Sequence, residues 1–170
     1  MGWVIGIDQS ASQKSKSNKI GWSIHNEDGL FKVGEIAPHF PHFDEEREWL
    51  RETIVMISGR PEYPYDDVTV GVETVYFNKK FCNPEMFKNL ISIKEHFHVV
   101  ARDMGCRYEE ITPIESFHAL TGRGRNVAGL RKEEMIEAFK LKYGEDVSDH
   151  IADADGIAEA IIKRQKKERP

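Results

Sequence analysis

The stretch WVIGID, residues 3–8, decides how the chain folds. Trp3 to Ile7 run without polar alternation, the mark of a central strand buried on both faces. The run stops at a carboxylate, Asp8. Beyond a Ser/Lys-rich loop, IGWSIH and LFKVGEIA read as two more strands, joined by the turn-forming pair Asp28-Gly29, so the chain opens as an antiparallel meander. VTVGVE, residues 68–73, is a second buried strand that also ends in an acid, Glu73.

Between and after these strands the apolar spacing turns helical. In FDEEREWLRETIVMISG, residues 43–59, Phe43, Trp49, Leu50, Ile54 and Ile57 share one face, with Asp44 placed to cap the start and Gly59 to end the helix. A helix from Pro84 to Met104 is stopped by Gly105, CRYEEI is a further strand, and Thr112-Pro113 starts a short helix. TGRGRNVAG reads as a flexible loop, and helices from Arg131 to Tyr143 and from Asp149 onward complete the chain. Three strands followed by alternating helix and strand predict a mixed sheet with helices on its faces, an α/β or α+β layered domain. No repeat or boundary divides residues 1–170, which read as one domain closed by the basic segment KRQKKER.

The composition agrees. Of 170 residues 39% are hydrophobic and 31% charged, ordinary for a folded globule large enough to need no disulfide or metal staple. No apolar run reaches membrane-spanning length and the first residues lack a secretory pattern. Cys82 and Cys106 are far apart and without metal-ligand spacing, so they read as reduced thiols in a cytoplasmic protein. The net charge of −5 gives no global sign of nucleic-acid binding. The cations are nevertheless clustered: Lys14, Lys16 and Lys19 in one loop, Lys79 and Lys80 in another, Arg123, Arg125, Arg131 and Lys132 in a third. Such patches can contact phosphates while acidic surface lies elsewhere.

The acids point to chemistry. If the strands ending in Asp8 and Glu73 are parallel neighbours, their carboxylates sit side by side at a sheet edge, where α/β sites usually lie. In DHIADADGIAEAI, residues 149–161, Asp149, His150 and Asp153 share one helix face while Asp155 points away from Asp153. Ala152, Ala154, Ala158 and Ala160 allow that helix close to the sheet. A cluster of carboxylates repels itself unless hard cations such as Mg²⁺ or Mn²⁺ occupy it. Two ions roughly 3.5–4 Å apart would suit phosphodiester cleavage by an activated water.

In these motifs the chain resembles the RuvC-type Holliday junction resolvases of the RNase H-like superfamily. The matching pieces are GIDQS with IGWSI, VGVETVYF, ITP followed by LTGRGR, and HIADADGIA, in the family's order over nearly the whole chain. The resemblance implies an RNase H-like five-stranded mixed sheet flanked by helices, a homodimer, and two Mg²⁺ ions per active site held by Asp8, Glu73, His150 and Asp153. A register on Asp155 would put Ala152 at the preceding ligand position and lose a donor, so Asp153 is preferred, with Asp149 as an outer-shell participant. His150 stands where members carry Asp or His, and serves as a neutral imidazole.

Tyr76, three after Glu73, matches the family's aromatic that stacks on bases at the crossover, and Phe77 is the neighbouring candidate. Strand periodicity turns one of this adjacent pair inward. Phosphate contacts fall to Lys14, Lys16, Lys79, Lys80, Arg123, Arg125, Arg131 and Lys132. A basic residue usual before the glycine loop is replaced at about Phe117, which removes a transition-state or phosphate contact the family makes, and Arg131 or Lys132 can serve after the loop. The longer, more basic loop after Asp8 resembles resolvases encoded by phages and suggests a wider range of branched DNA. The helix from Pro84 to Met104, with Phe87, Leu90, Ile91, Phe97 and Ala101, is a candidate for part of the dimer interface, packing on its own sheet being the equal alternative.

The implied activity is a structure-selective endonuclease that resolves four-way junctions by paired nicks, leaving 5′-phosphate and 3′-hydroxyl ends. The competing reading is a catalytically inactive module that binds branched nucleic acid. An actin-like phosphotransferase also begins with a strand ending in Asp, but its glycine-rich phosphate loops are not evident.

Overall fold

A computed structural model describes residues 2–9, 19–39, 42–76, 84–124 and 130–168. Lys14, Lys16, Phe77, Lys79, Lys80, Cys82 and Arg125 lie outside the described residues.

The opening segments form β1 (Trp3–Asp8), β2 (Ile20–Asn26) and β3 (Gly29–Ile36), paired antiparallel as the meander predicts. β4 (Val68–Glu73) runs parallel to β1, with Trp3 opposite Val68 and Ile7 opposite Val72. β5 (Arg107–Ile111) extends the sheet parallel to β4, giving the order β3-β2-β1-β4-β5. β1 is central, which is why its apolar run is unbroken.

Five helices cover the sheet among the described residues: α1 (Asp44–Ser58), α2 (Pro84–Asp103), α3 (Pro113–Thr121), α4 (Arg131–Tyr143) and α5 (Asp149–Glu168). Asp44 does not cap α1. It is the first helical residue, and the cap position falls on Phe43, whose backbone is left-handed at φ 50° and whose buried ring leaves the cap without a side-chain bond. Asp44, Glu45 and Glu46 instead complement the positive end of the helix dipole. Gly59 ends α1 at φ 62°, as the sequence predicts. Thr112 caps α3 reciprocally: its hydroxyl accepts from the Glu115 amide at 3.2 Å, and the Glu115 carboxylate accepts from the Thr112 amide at 3.0 Å.

Strand periodicity sorts the two faces. Ile5, Ile7, Val70 and Val72 meet Leu50 and Ile54 of α1 and Phe97 and Val100 of α2 on one side. Phe97 and Ala101 are therefore spent in this core and are not available to a second chain. Val4, Gly6 and Asp8 on β1, with Gly71 and Glu73 on β4, point to the other side, where α5 lies. The basic end of the sequence, as far as Glu168, continues α5, and Arg164 is paired with Glu109 and Glu115.

The alanines of α5 are only half of its close approach. At Gly6 a Cβ would lie 2.2 Å from the Ala154 carbonyl oxygen, and at Gly21 2.1 Å from the His150 carbonyl oxygen. Both obstacles are helix backbone, which cannot rotate out of the way. Gly6→Ala is therefore expected to cost about 3 kcal/mol, the upper end of overpacking, or about 6–12 °C in Tm for a chain of this size. Thermal denaturation of the variant checks this; an unchanged Tm would mean that α5 stands further from β1.

Candidate active site

The parallel register of β1 and β4 sets Asp8 beside Glu73 at the carboxyl end of the sheet centre. α5 begins directly above, because Gly21 on the neighbouring β2 leaves room for the His150 backbone. His150 Nδ1 lies 2.9 Å from Asp8 Oδ2. Asp153, one turn further along α5, faces the same acids, and Arg131, the first residue of α4, brings its guanidinium to 3.3 Å from Asp153 Oδ1. Asp8, Glu73, His150 and Asp153 thus line one cleft of about 360 Å³, with Asp149, Arg131, Lys132 and Tyr76 around them.

The electrostatics are those of an overcrowded anionic site. Burial raises the Asp8 carboxyl, although the bond from His150 opposes the shift. Burial, and then the charge of Asp8, push Glu73 up to about 8 and Asp153 up to about 7. His150 is raised by its bond to Asp8. Asp149 behaves otherwise: burial would raise it, but the bond from Lys132 and the charges of His150 and Lys132 together outweigh burial and hold it low. Its partnership with Lys132 leaves it at the rim of the carboxylate group.

The donor set fits divalent cations. Three carboxylates and an imidazole converge from three separate segments, and Asp153 Oδ1 is buried with no hydrogen-bond partner, Arg131 standing close but outside bonding geometry. Such oxygen-rich, mutually repelling donors suit hard cations. Asp155 takes no part. It is fully buried on the other side of α5, bonded to His25 at 2.7 Å, and does not line the cleft, whereas Asp153 does.

The other sequence candidates separate. Tyr76 is 62% exposed at the cleft rim. Arg131 and Lys132 reach the acids, whereas Arg123 is exposed and paired with Glu134 at 2.9 Å. Phe117 is not a site position: it is buried against Met135 and Phe139, and the cation facing the acids comes from Arg131. Gln9, which no sequence motif marks as a site residue, also belongs to the site. Its amide donates to the Glu73 carbonyl at 2.7 Å, tying the ends of β1 and β4 together, while its Oε1 is buried without a partner. Only its place directly after Asp8 hinted at this role. Met86 and Leu90 of α2 form an apolar wall that no spacing rule marks as part of a site.

Comparison with solved structures places the architecture. The chain is similar in fold to T. thermophilus RuvC in complex with a Holliday junction substrate, at 18% identity with a TM-score of 0.68 over 98% of this chain and 96% of that one. A second Thermus thermophilus RuvC structure matches at 18% identity and a TM-score of 0.64, over 97% of this chain and 96% of that one. No protein-family model and no curated protein matches the sequence. The fold is of the RuvC type, an RNase H-like five-stranded mixed sheet flanked by helices.

Proposed function

We propose that this protein is a metal-dependent endonuclease of the RuvC type that resolves four-way DNA junctions, and other branched DNA, by paired nicks. One observation carries the reading: Asp8, Glu73 and Asp153 converge with His150 in a single cleft whose rim holds two cations and an exposed tyrosine. The RuvC-type fold supports it.

Asp8, Glu73, His150 and Asp153 would hold two Mg²⁺ ions, or Mn²⁺. Such ions would supply a lowered pKa for the attacking water and neutralisation of the charge developing on the phosphate. The residues of the chain prepare that chemistry. Gln9 fixes the Glu73 backbone against β1, and Gly21 lets α5 deliver His150 and Asp153 to the strand ends. His150 would serve as a ligand only with its imidazole neutral, so it would have to give up the proton that its bond to Asp8 favours. Arg131 and Lys132 then turn from Asp153 and Asp149 toward the backbone phosphate, a charge-assisted contact. A homodimer would set two such sites on opposing strands of the junction.

Tyr76 is assigned the stacking role. Tyr76→Ala is expected to weaken junction binding by about 1–3 kcal/mol, the worth of one stacked base, without lowering Tm, since the ring is exposed. Binding by gel shift together with a melting curve checks both halves; unchanged affinity removes Tyr76 from the interface.

The test of the whole reading is cleavage of an immobile, end-labelled four-way junction beside its linear duplex arms, in Mg²⁺ or in EDTA. Paired nicks near the crossover, dependent on Mg²⁺ and absent from the arms, are expected. Tight junction binding with no cuts in Mg²⁺ or Mn²⁺ would overturn the nuclease reading in favour of a binding module. That module has a structural basis, because His150 and Arg131 can neutralise Asp8 and Asp153 without any ion.

A further inference from the structure

We infer that His25, Asp155 and Glu159 form a second divalent-cation site, outside the carboxylate cleft, suited to a zinc-class ion. The inference does not rest on the nuclease reading. His25 is near the end of β2, and Asp155 and Glu159 are four apart on the α5 face turned toward it. His25 and Asp155 are buried, and Glu159 is half-buried beside the end of α4. One ligand atom from each of the three lies within 4.8 Å of the others.

Two features show that the group is incompletely satisfied without an ion. The first is hydrogen bonding. His25 Nε2 lies 2.7 Å from Asp155 Oδ1, but Nδ1 is 3.9 Å from Glu159 Oε1, too far to bond, and Asp155 Oδ2 is buried with no partner. The second is charge. The Lys142 ammonium binds Glu159 and the Tyr143 hydroxyl lies 3.2 Å from the same oxygen, so Glu159 is compensated, whereas Asp155 is paired with the His25 imidazole.

One imidazole and two carboxylates make a mixed nitrogen and oxygen donor set, which favours Zn²⁺ over Mg²⁺. The 4.8 Å spread is wider than a closed coordination sphere, so Glu159 at the rim would have to leave Lys142 and rotate inward to close it. Lys142, 40% exposed, is at the entry and can swing into solvent as the ion enters. A filled site would clamp β2 to α5 one turn beyond Asp153.

The experiment uses the full chain carrying Asp8→Asn and Glu73→Gln, which disable the cleft as a competing site. After chelation and reloading with Zn²⁺, bound metal per chain and Tm are measured, with Mg²⁺ alone as comparison. The expected result is one tightly held zinc per chain and a Tm raised by several degrees, with no such shift in Mg²⁺. Adding Glu159→Gln, which alters only a rim residue and leaves the buried pair intact, is expected to weaken zinc binding at least about tenfold. His25→Gln is expected to abolish it. No retained zinc in the cleft-disabled chain, or zinc retained equally by the Glu159 variant, would overturn the site and leave a buried ion-pair cluster.

Discussion

Glu73→Gln is expected to lower metal-dependent junction cleavage roughly 10³-fold, about 4 kcal/mol of transition-state stabilisation, while leaving the chain folded and able to bind junctions. The asymmetry follows from the position of the residue. Glu73 ends β4 beside Asp8, and its backbone is held by the Gln9 amide through the carbonyl, not the side chain, so an isosteric amide disturbs no structural contact. Without cations, burial and Asp8 hold Glu73 at about 8, so near neutral pH it is already mostly protonated, and glutamine imitates that form. What glutamine cannot imitate is the carboxylate that a bound cation would recruit. Cleavage in Mg²⁺, junction affinity and Tm are the three readouts. Loss of cleavage with affinity and Tm intact assigns Glu73 to catalysis; cleavage within about tenfold of wild type would remove it from the ligand set.

The features legible in the sequence were those written in periodicity. The unbroken apolar runs before Asp8 and Glu73 identified two buried strands, and their parallel pairing put both acids at one sheet end. Helical spacing placed His150 and Asp153 on one face and turned Asp155 away. What stayed hidden depends on contacts between distant segments. Gly21 looks like an ordinary strand glycine until α5 is laid 2.1 Å from where its Cβ would be. Gln9 gains its role from a carbonyl 64 residues away. Phe117 aligns with a basic position in linear order, yet the turn of α3 sends it into the core, and Arg131 supplies the charge from the start of α4. Asp44 follows the usual rule for a cap, but burying Phe43 moved the cap back by one residue.

Without divalent cations, stability is expected to fall as pH rises from about 5 to about 8.5, by on the order of 3 kcal/mol, and Mg²⁺ is expected to restore it increasingly toward the alkaline end. Asp8, Glu73 and Asp153 all titrate higher in the folded chain than in the unfolded one, Asp153 at about 7 and Glu73 at about 8. His150 is shifted upward as well. Across this window the folded chain therefore holds more protons than the unfolded chain, so each proton removed costs stability. The contribution is complete below the unfolded carboxylate values and is lost as pH passes through the folded ones. Asp149 runs the opposite way, but its loss comes only when acid protonates it below its ordinary value, outside the window. A cation held by the ionised cluster would take over from the protons and remove the repulsion that burial makes costly. Melting curves in EDTA and in millimolar Mg²⁺ should therefore nearly coincide at about pH 5 and diverge by about pH 8.5, with Glu73→Gln flattening the EDTA series. A Tm in EDTA that climbs with pH across this window would mean that the acids are not crowded together as the cleft places them, and the case for a shared cation would fail with it.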